Sequence, residues 1–425
     1  MKDSARNSIA LRAPVVSVQI PLPMLASLQS AREDLFALFV DTGREVLKAM
    51  MEQDRVTLCG PKGKRLPERA AVRAGSTASE VTLGGQRVAM RRLCARGSGG
   101  GELTLASFAF ATDRDPLDRR TWLAIARGVA TRGYRDVLDP LPAGEVGRAI
   151  SKSAVSRRFV ALSMEHLRDL LTRPLGDLDI RTVLIDGIVF HDHAILVALG
   201  VAADGKKHVL ALREGATENT AVAKALIEDL VERGLSSERA VLFVIDGSKA
   251  LRRAIRDVFG SLGVVQRCQV HKQRNVLEHL PENVRPRVRR VLAAAWEMSD
   301  ATPAERRLRA VASSLEREHP GAASSLLEGL AETLTLQKLG VRGALYRTLR
   351  STNAIENLNG GIARFTRNVK HWQDGEMLLR WVGAAVVHAS LGFRRLRGYA
   401  DMRTLLTALD RHIKHNNLDR QEKAA

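Results

Sequence analysis

Asp186 sits inside an apolar, β-branched run, Val183 to Phe190, at a point where burial would favour another valine. A carboxylate taken out of water is costly unless a cation or hydrogen-bond donors meet it. The pattern recurs at Val241 to Ile245, which leads straight into Asp246, and each aspartate is followed by a glycine, Gly187 and Gly247. Two strands that each deliver an Asp-Gly point to one shared site. Such a pair of carboxylates can hold two divalent ions roughly 3.5–4 Å apart, the arrangement that activates an attacking oxygen and stabilises a leaving one in phosphodiester cleavage. Mg²⁺, with Mn²⁺ as its substitute, suits the purpose because it takes oxygen ligands and keeps several waters. The two glycines are expected to leave room for backbone or phosphate.

A third carboxylate is needed, and Glu356 is the choice. On a helix it shares a face with Asn359, Gly360, Ala363 and Arg367, a face that is small near the acid and cationic about 16 Å further along. Between Arg342 and Trp372 there are six basic residues, Arg364 and Arg367 among them, and Glu356 is the only acid. Asn359, Arg364 and Arg367 are thereby expected to contact a DNA backbone. Glu316, Glu318, Glu328 and Glu332 are the competitors, but they sit among further acids or on ordinary solvated faces.

The elements that must carry these residues follow from periodicity. Apolar residues at helical spacing give an amphipathic helix over roughly 24 to 53, and a small β module follows, to about 110, with a hairpin turning at Gly84-Gly85. Residues 111 to 174 read as a helical, helix-turn-helix-like region. In it Ser151 is the expected N-cap of a short helix carrying Lys152, Ser153, Ser156, Arg157 and Arg158 outward, with Ala154, Val155 and Phe159 inward. From 175 to 272 the chain reads as three strands, the second and third joined at Asp204-Gly205, then a helix, a strand ending at Asp246, a helix from about Ser248 to Phe259, and a strand over 263 to 271. That order is the one of the ribonuclease H-like fold, with one aspartate on its first strand and another after its fourth. Residues 273 to 347 read as an all-helical insertion, and 348 to 425 as the second part of the core, opening with a helix from Leu349 to His371. The fold class is therefore α/β.

The blocks VLIDGIVF, GVAADGKKHVLALREGATEN, VLFVIDGSKAL, RCQVHKQRN and STNAIENLNGGIARFTRN, spread over about 180 to 375, resemble the mutator-type transposases of bacterial insertion sequences. The resemblance implies a DDE transposase whose triad is Asp186, Asp246 and Glu356. Its partners would be double-stranded DNA, as terminal inverted repeats and as target, and a homodimer or larger assembly would bring two ends together. Cys268 and His271 fall in one of these blocks. They offer two zinc ligands where a structural site wants four, with Cys59 and Cys94 far off in sequence, or else a structural or phosphate-contacting role. Trp296, in the insertion, is a candidate for stacking on a base flipped out at the cleavage site, against the plainer reading of a core tryptophan.

Bulk composition agrees. Lys and Arg number 66 against 47 Asp and Glu, a formal charge of +19 in 425 residues, which favours a polyanionic partner. No run of apolar residues is long enough to span a membrane, and no signal-peptide core opens the chain, so a cytoplasmic protein is expected. Two rivals remain: a structure-selective nuclease of the same fold, disfavoured by the long helical insertion, and a DNA-binding descendant without catalysis, disfavoured by the intact set of three acids. If Lys152, Arg157 and Arg158 touch phosphates, replacing all three by alanine lowers the slope of log affinity against log salt by about 0.9 per lost contact. A salt titration of DNA binding checks this, and an unchanged slope removes the segment from the interface.

Overall fold

The computed structural model describes residues 35–412, apart from 65, 67, 84–85, 98, 114–121, 123–124, 126–147, 150 and 216–218. The chain is mixed α/β and divides into two compact units, residues 1–160 and 161–425. Among the described residues no helix is long and apolar enough to cross a membrane.

The first unit contains the expected helix and β module. Helix α1 (Leu35–Cys59) runs past the expected end near 53, and the expected stretch 24–34 lies outside the described residues. Strands β1 (Ala71–Leu83) and β2 (Gln86–Gly97) pair antiparallel up to Leu83 opposite Gln86, so the hairpin forms where expected, although Gly84 and Gly85 themselves lie outside the described residues. Short strands β3 (Glu102–Leu103) and β4 (Arg148–Ala149) both add to β2. Val40, Leu47 and Met51 of α1 pack with Val81, Val88 and Ala95 of the hairpin and with Phe108 of α2 (Ala106–Asp113) in one apolar cluster. Most of the helix-turn-helix-like region lies outside the described residues. Its last helix, α3, runs Lys152–Thr172 and is long rather than short. Ser151 does cap it, accepting the Ala154 N–H at 3.2 Å. Lys152, Ser153, Ser156 and Arg157 are exposed and Val155 and Phe159 buried, as expected, whereas Ala154 and Arg158 are half-buried.

The second unit is built on a five-stranded sheet. Strands β5 (Ile180–Phe190), β6 (His193–Ala202) and β7 (Lys207–Glu214) form an antiparallel meander. Helix α4 (Thr220–Glu232) then crosses so that β8 (Val241–Ile245) lies parallel to β5, and α5 (Lys249–Phe259) leads to β9 (Gly263–Arg267), parallel to β8. The spatial order is β7-β6-β5-β8-β9. Strands buried on both faces need near-continuous apolar sequence, which β5 and β8 provide. Their side chains join Leu226, Ile227 and Leu230 of α4 and Leu251 and Ile255 of α5 in one core.

The final strand is shorter than the expected 263 to 271. It ends at Arg267, and Cys268 caps the next helix, α6 (Gln269–Glu278), through a sulfur contact with the His271 N–H. From there the chain is helical through α7 (Arg285–Trp296), α8 (Ala301–Leu315), α9 (Pro320–Leu327), a 3₁₀ turn, α10 (Thr335–Lys338) and α11 (Gly343–Leu349). These elements close around their own apolar cluster, running from Val276 to Leu334. The helix expected from Leu349 to His371 is broken: the Arg350 N–H closes α11 on the Tyr346 carbonyl, Ser351 and Thr352 stand between, and α12 spans Asn353–Thr366. Helix α13 (Gly375–Ser390) packs against it through Phe365 and Trp381, whose ring centroids are 6.1 Å apart.

Trp296 belongs to the core of the helical body, which corrects the base-stacking expectation. Only 3% of it is exposed, its Nε1–H donates to Thr333 Oγ1 at 3.2 Å, and its carbonyl accepts from Gln337 and Tyr346. No ring face is available to a base in this arrangement. Trp296→Ala is therefore expected to cost about 3–5 kcal/mol of stability, as truncation of a buried aromatic does. Urea unfolding measures it, and an unchanged midpoint together with weakened DNA binding would restore the stacking role.

Candidate active site

The sheet delivers its two acids to the same end. Asp186 lies on β5 opposite Val197 of β6, and Asp246 follows β8 directly; because β5 and β8 run parallel, both carboxylates lie toward their carboxyl ends. Asp246 Oδ1 accepts the Ser248 N–H at 3.0 Å, which fixes the turn into α5. Gly247 corrects one expectation. It has φ +114°, and an added Cβ would lie 2.3 Å from Arg267 Nε, so the space it leaves is taken by that guanidinium rather than by a substrate. Arg267 is buried and turned toward Glu328, donating to its backbone carbonyl at 2.9 Å and to its carboxylate at 3.3 Å.

The third acid arrives on α12. Asn359, one turn beyond Glu356, donates its Nδ2–H to Asp186 Oδ2 at 2.9 Å and so ties that helix to β5. Glu356 accepts a 2.6 Å hydrogen bond from Thr352 Oγ1. Thr352 is fully buried, and its hydroxyl oxygen also lies 3.4 Å from Cys268 Sγ and 3.3 Å from His271 Nδ1. A hydroxyl has one proton, so Thr352 donates either to Glu356, over the shorter bond, or to Cys268 Sγ, while its oxygen can accept from His271. His271 Nε2 is 3.9 Å from Glu356 Oε1. Thr352 is the site residue that sequence reasoning missed. Its signal was slight: a threonine four positions before a helix-borne glutamate, directly after a serine.

Electrostatics show that these groups share one environment. Burial, then repulsion from Asp246 and more weakly from Glu356, push the Asp186 carboxyl up to about 6, although the Gly187 N–H and His271 act in the other direction. Burial pushes the Cys268 thiol up, but hydrogen bonds with His271 and Thr352 outweigh it and hold the thiol below its ordinary range. His271 is raised, first by its hydrogen bond to Cys268, against a burial effect, with Glu356 and Asp246 adding to the rise.

Two donor sets overlap here. Asp186, Asp246 and Glu356 offer only oxygens, and beside them Asn359, 8% exposed, has an Oδ1 with no hydrogen-bond partner. Mutually repelling carboxylates with an orphaned carbonyl oxygen are what a hard divalent cation relieves, so the residues fit Mg²⁺ or Mn²⁺. Among the described residues the one trio whose ligand atoms all lie within 4.8 Å of one another is Cys268, His271 and Glu356. That set has three members where a closed zinc site has four, and its sulfur is already engaged in capping α6. Of the remaining sequence candidates, Arg364 and Arg367 are exposed at the far end of α12 and Gly360 has open space before it, so a cationic, sparsely covered surface leads away from Glu356. The competing acids are occupied or remote from this site: Glu332 pairs with Arg252 at 2.5 Å, Glu328 with Arg267 at 3.3 Å, and Glu316 and Glu318 are exposed.

Sequence comparison places the chain among known proteins. The "Transposase, Mutator family" matches residues 26–394. The chain belongs to that family. It is 32% identical over 279 residues to the transposase for insertion sequence element IS406 of Burkholderia multivorans, covering 63% of this chain and 70% of the relative. Identity to the transposase for ISRM5 of Rhizobium meliloti is 28% over 368 residues, 84% of this chain and 88% of the relative. The transposase for IS256 in transposon Tn4001 of Staphylococcus aureus is 25% identical over 274 residues, 61% of this chain and 66% of its own length. In this mutator-family transposase the acids repel one another, and Asp186 shows the imbalance in its raised carboxyl.

A pH experiment reads that imbalance. Asp186 has a folded-state value above its ordinary one, so its contribution to stability is full below about pH 4 and is lost as pH rises through about 6. Removing the charge in Asp186→Asn should leave stability nearly unchanged near pH 4 and raise it relative to wild type above pH 6, in chelator-treated protein. Thermal melting across that range checks it, and a variant less stable than wild type at pH 7 would mean that the carboxylate is a structural anchor.

Proposed function

We propose that this transposase is a DDE enzyme with a ribonuclease H-like core, which binds the terminal inverted repeats of its element, hydrolyses a phosphodiester at each end and transfers the freed 3′-hydroxyl to target DNA. The observation that carries the reading is the convergence of Asp186, Asp246 and Glu356, from a central strand, the end of its parallel neighbour and a distant helix, into one electrostatically connected group. The strand order β7-β6-β5-β8-β9, antiparallel then parallel, supports the core assignment.

In this reading Asp186, Asp246 and Glu356 would hold Mg²⁺, which when bound activates the attacking oxygen and stabilises the leaving one. The chain's own groups set the geometry. Asn359 fixes Asp186, and Thr352 fixes Glu356. His271, held protonated to higher pH by Cys268 and the acids, presents Nε2 beside Glu356, where it can donate to a phosphate oxygen. Arg364 and Arg367 follow the backbone away from the reacting phosphate, and Lys152, Ser153, Ser156, Arg157 and Arg158 contact the ends. In hydrolysis, water replaces the 3′-oxygen at phosphorus; in transfer, that 3′-hydroxyl replaces a target 3′-oxygen, so no covalent enzyme intermediate is required. Synapsis of two ends calls for a dimer or larger assembly.

Glu356→Gln is expected to abolish hydrolysis and strand transfer in Mg²⁺ or Mn²⁺, and Asp186→Asn and Asp246→Asn to do the same with end binding retained. Glu332→Gln, whose carboxylate is spent on Arg252, should keep both activities. Cleavage of a labelled element end decides between them, and activity in Glu356→Gln with loss in Glu332→Gln overturns the triad.

A further inference from the structure

A cleft of about 550 Å³ opens between the end of α3, the start of β7 and the segment after α13. Arg173, Lys206, Lys207, Arg394 and Arg395 line it, together with two histidines, against one acid, Asp169. Elsewhere in this unit the most deeply placed arginines are matched to carboxylates: Arg181 to Asp410 at 2.6 Å, Arg233 to Asp229 at 2.7 Å, Arg267 to Glu328 at 3.3 Å. The cleft differs. Among the described residues only Lys206 of these five forms an ion pair, with Asp204 at 3.0 Å.

Of the others, Lys207, Arg395 and Arg173 are held chiefly by groups that do not cancel their charge, with Asp204 also acting on Arg395. Lys207 Nζ lies 4.9 Å from the centre of the Phe393 ring, and Arg395 Cζ 5.1 Å from that of Tyr399. Arg173 donates one Nη2–H to the Val209 carbonyl at 2.9 Å and leaves its buried Nε–H without a partner. Ring faces and carbonyls fix a cation's position yet leave its net charge for an outside anion. Burial lowers Lys207; burial, then the nearby Arg233, lowers Arg173; and burial, then Arg173, lowers His208, each in the direction an arriving anion would reverse.

We infer that this cleft is a second nucleic-acid contact, binding backbone phosphates of duplex DNA away from the three acids. The identity of the anion as DNA rests on the transposase reading; the cleft's anion chemistry does not. Lys207 pairs with Val201 and Asp186 with Val197, so Lys207 lies about 13 Å further along the strands and about 10 Å across them. The combined offset of about 16 Å corresponds to about five base-pair steps, within reach of one duplex that passes the acids. Spread cations on an open wall suit a polyanion better than a single phosphate, which one cradle of donors would hold.

The test uses the full chain and a duplex carrying the element's end. Lys207→Met/Arg394→Gln/Arg395→Gln should lower the slope of log affinity against log salt by about 0.9 per lost phosphate, roughly 2–3 in all, and Lys207→Arg/Arg394→Lys/Arg395→Lys should restore it. Amine acylation of Lys207 in the wild type, read by mass spectrometry, should be suppressed by duplex and not by ATP or inorganic phosphate. This second measurement needs no variant to fold. An unchanged slope, or Lys207 reacting freely in the DNA complex, overturns the cleft while leaving the transposase reading intact. Protection by ATP or phosphate alone makes it a small-anion site and overturns the DNA assignment. Failure of the wild type to bind any duplex defeats the transposase reading, and the DNA assignment with it.

Discussion

Repulsion among carboxylates is the constraint on which the site depends. Asp186 is raised to about 6 because it is buried and faces Asp246 and Glu356, so the fold must hold together groups that would separate if free. It does so with neutral donors placed on rigid elements. Asn359 directs one N–H to Asp186, the Thr352 hydroxyl faces Glu356, and the Ser248 N–H goes to Asp246. None of these donors carries charge, so each orients an acid without satisfying its demand for a cation. His271 is the exception, and Cys268 rather than the acids is the largest influence on its protonation.

The carboxylates were legible in sequence because an acid inside a β-branched run has few innocent explanations, and the order of strands and helices around them followed from periodicity and glycine stops. Glu356 was legible by contrast with its surroundings, as the one acid among six bases. What could not be read were features decided by contact. An aromatic on an amphipathic helix looks the same whether it faces a core or a base, so the burial of Trp296 required the helical body to be assembled. The break at Ser351 and Thr352 is only half local: Ser, Thr and Asn favour a helix start, and in the fold the Arg350 carbonyl accepts the Gln269 N–H at 2.9 Å. Gly247 was read as room for substrate, yet only the fold could place Arg267 there. The basic cleft joins three distant segments, none of them notable alone.

That backbone bond ties together two segments that the helical body separates in sequence. The chain leaves the sheet at Cys268 and is back beside it at Thr352, 84 positions later, with the two side chains in contact. Gln269 also donates to Tyr346 at 3.0 Å, and Tyr346 in turn bonds the Trp296 carbonyl. The neck of the helical body is thus cross-linked by hydrogen bonds, and Trp296 joins it to the body's own apolar cluster.

Charge is sorted in the same way. A net +19 spread evenly would only weaken folding by self-repulsion and attract anions without preference. Instead the deeply placed arginines in the sheet unit are largely neutralised: Arg181, Arg233 and Arg267 each meet a carboxylate, and Lys272, wholly buried and lowered to about 8 chiefly by burial, donates to the Ser325 and Glu328 carbonyls near the Glu328 carboxylate. Exposed cations on α3 and α12, and those around Phe393 and Tyr399, keep their charge facing outward. Structural cations sit in low dielectric with fixed partners and respond weakly to salt, whereas the outward ones are screened within a Debye length of about 10 Å at moderate ionic strength. Salt can therefore tune the outward charge while leaving the carboxylate site and its neutral donors in place.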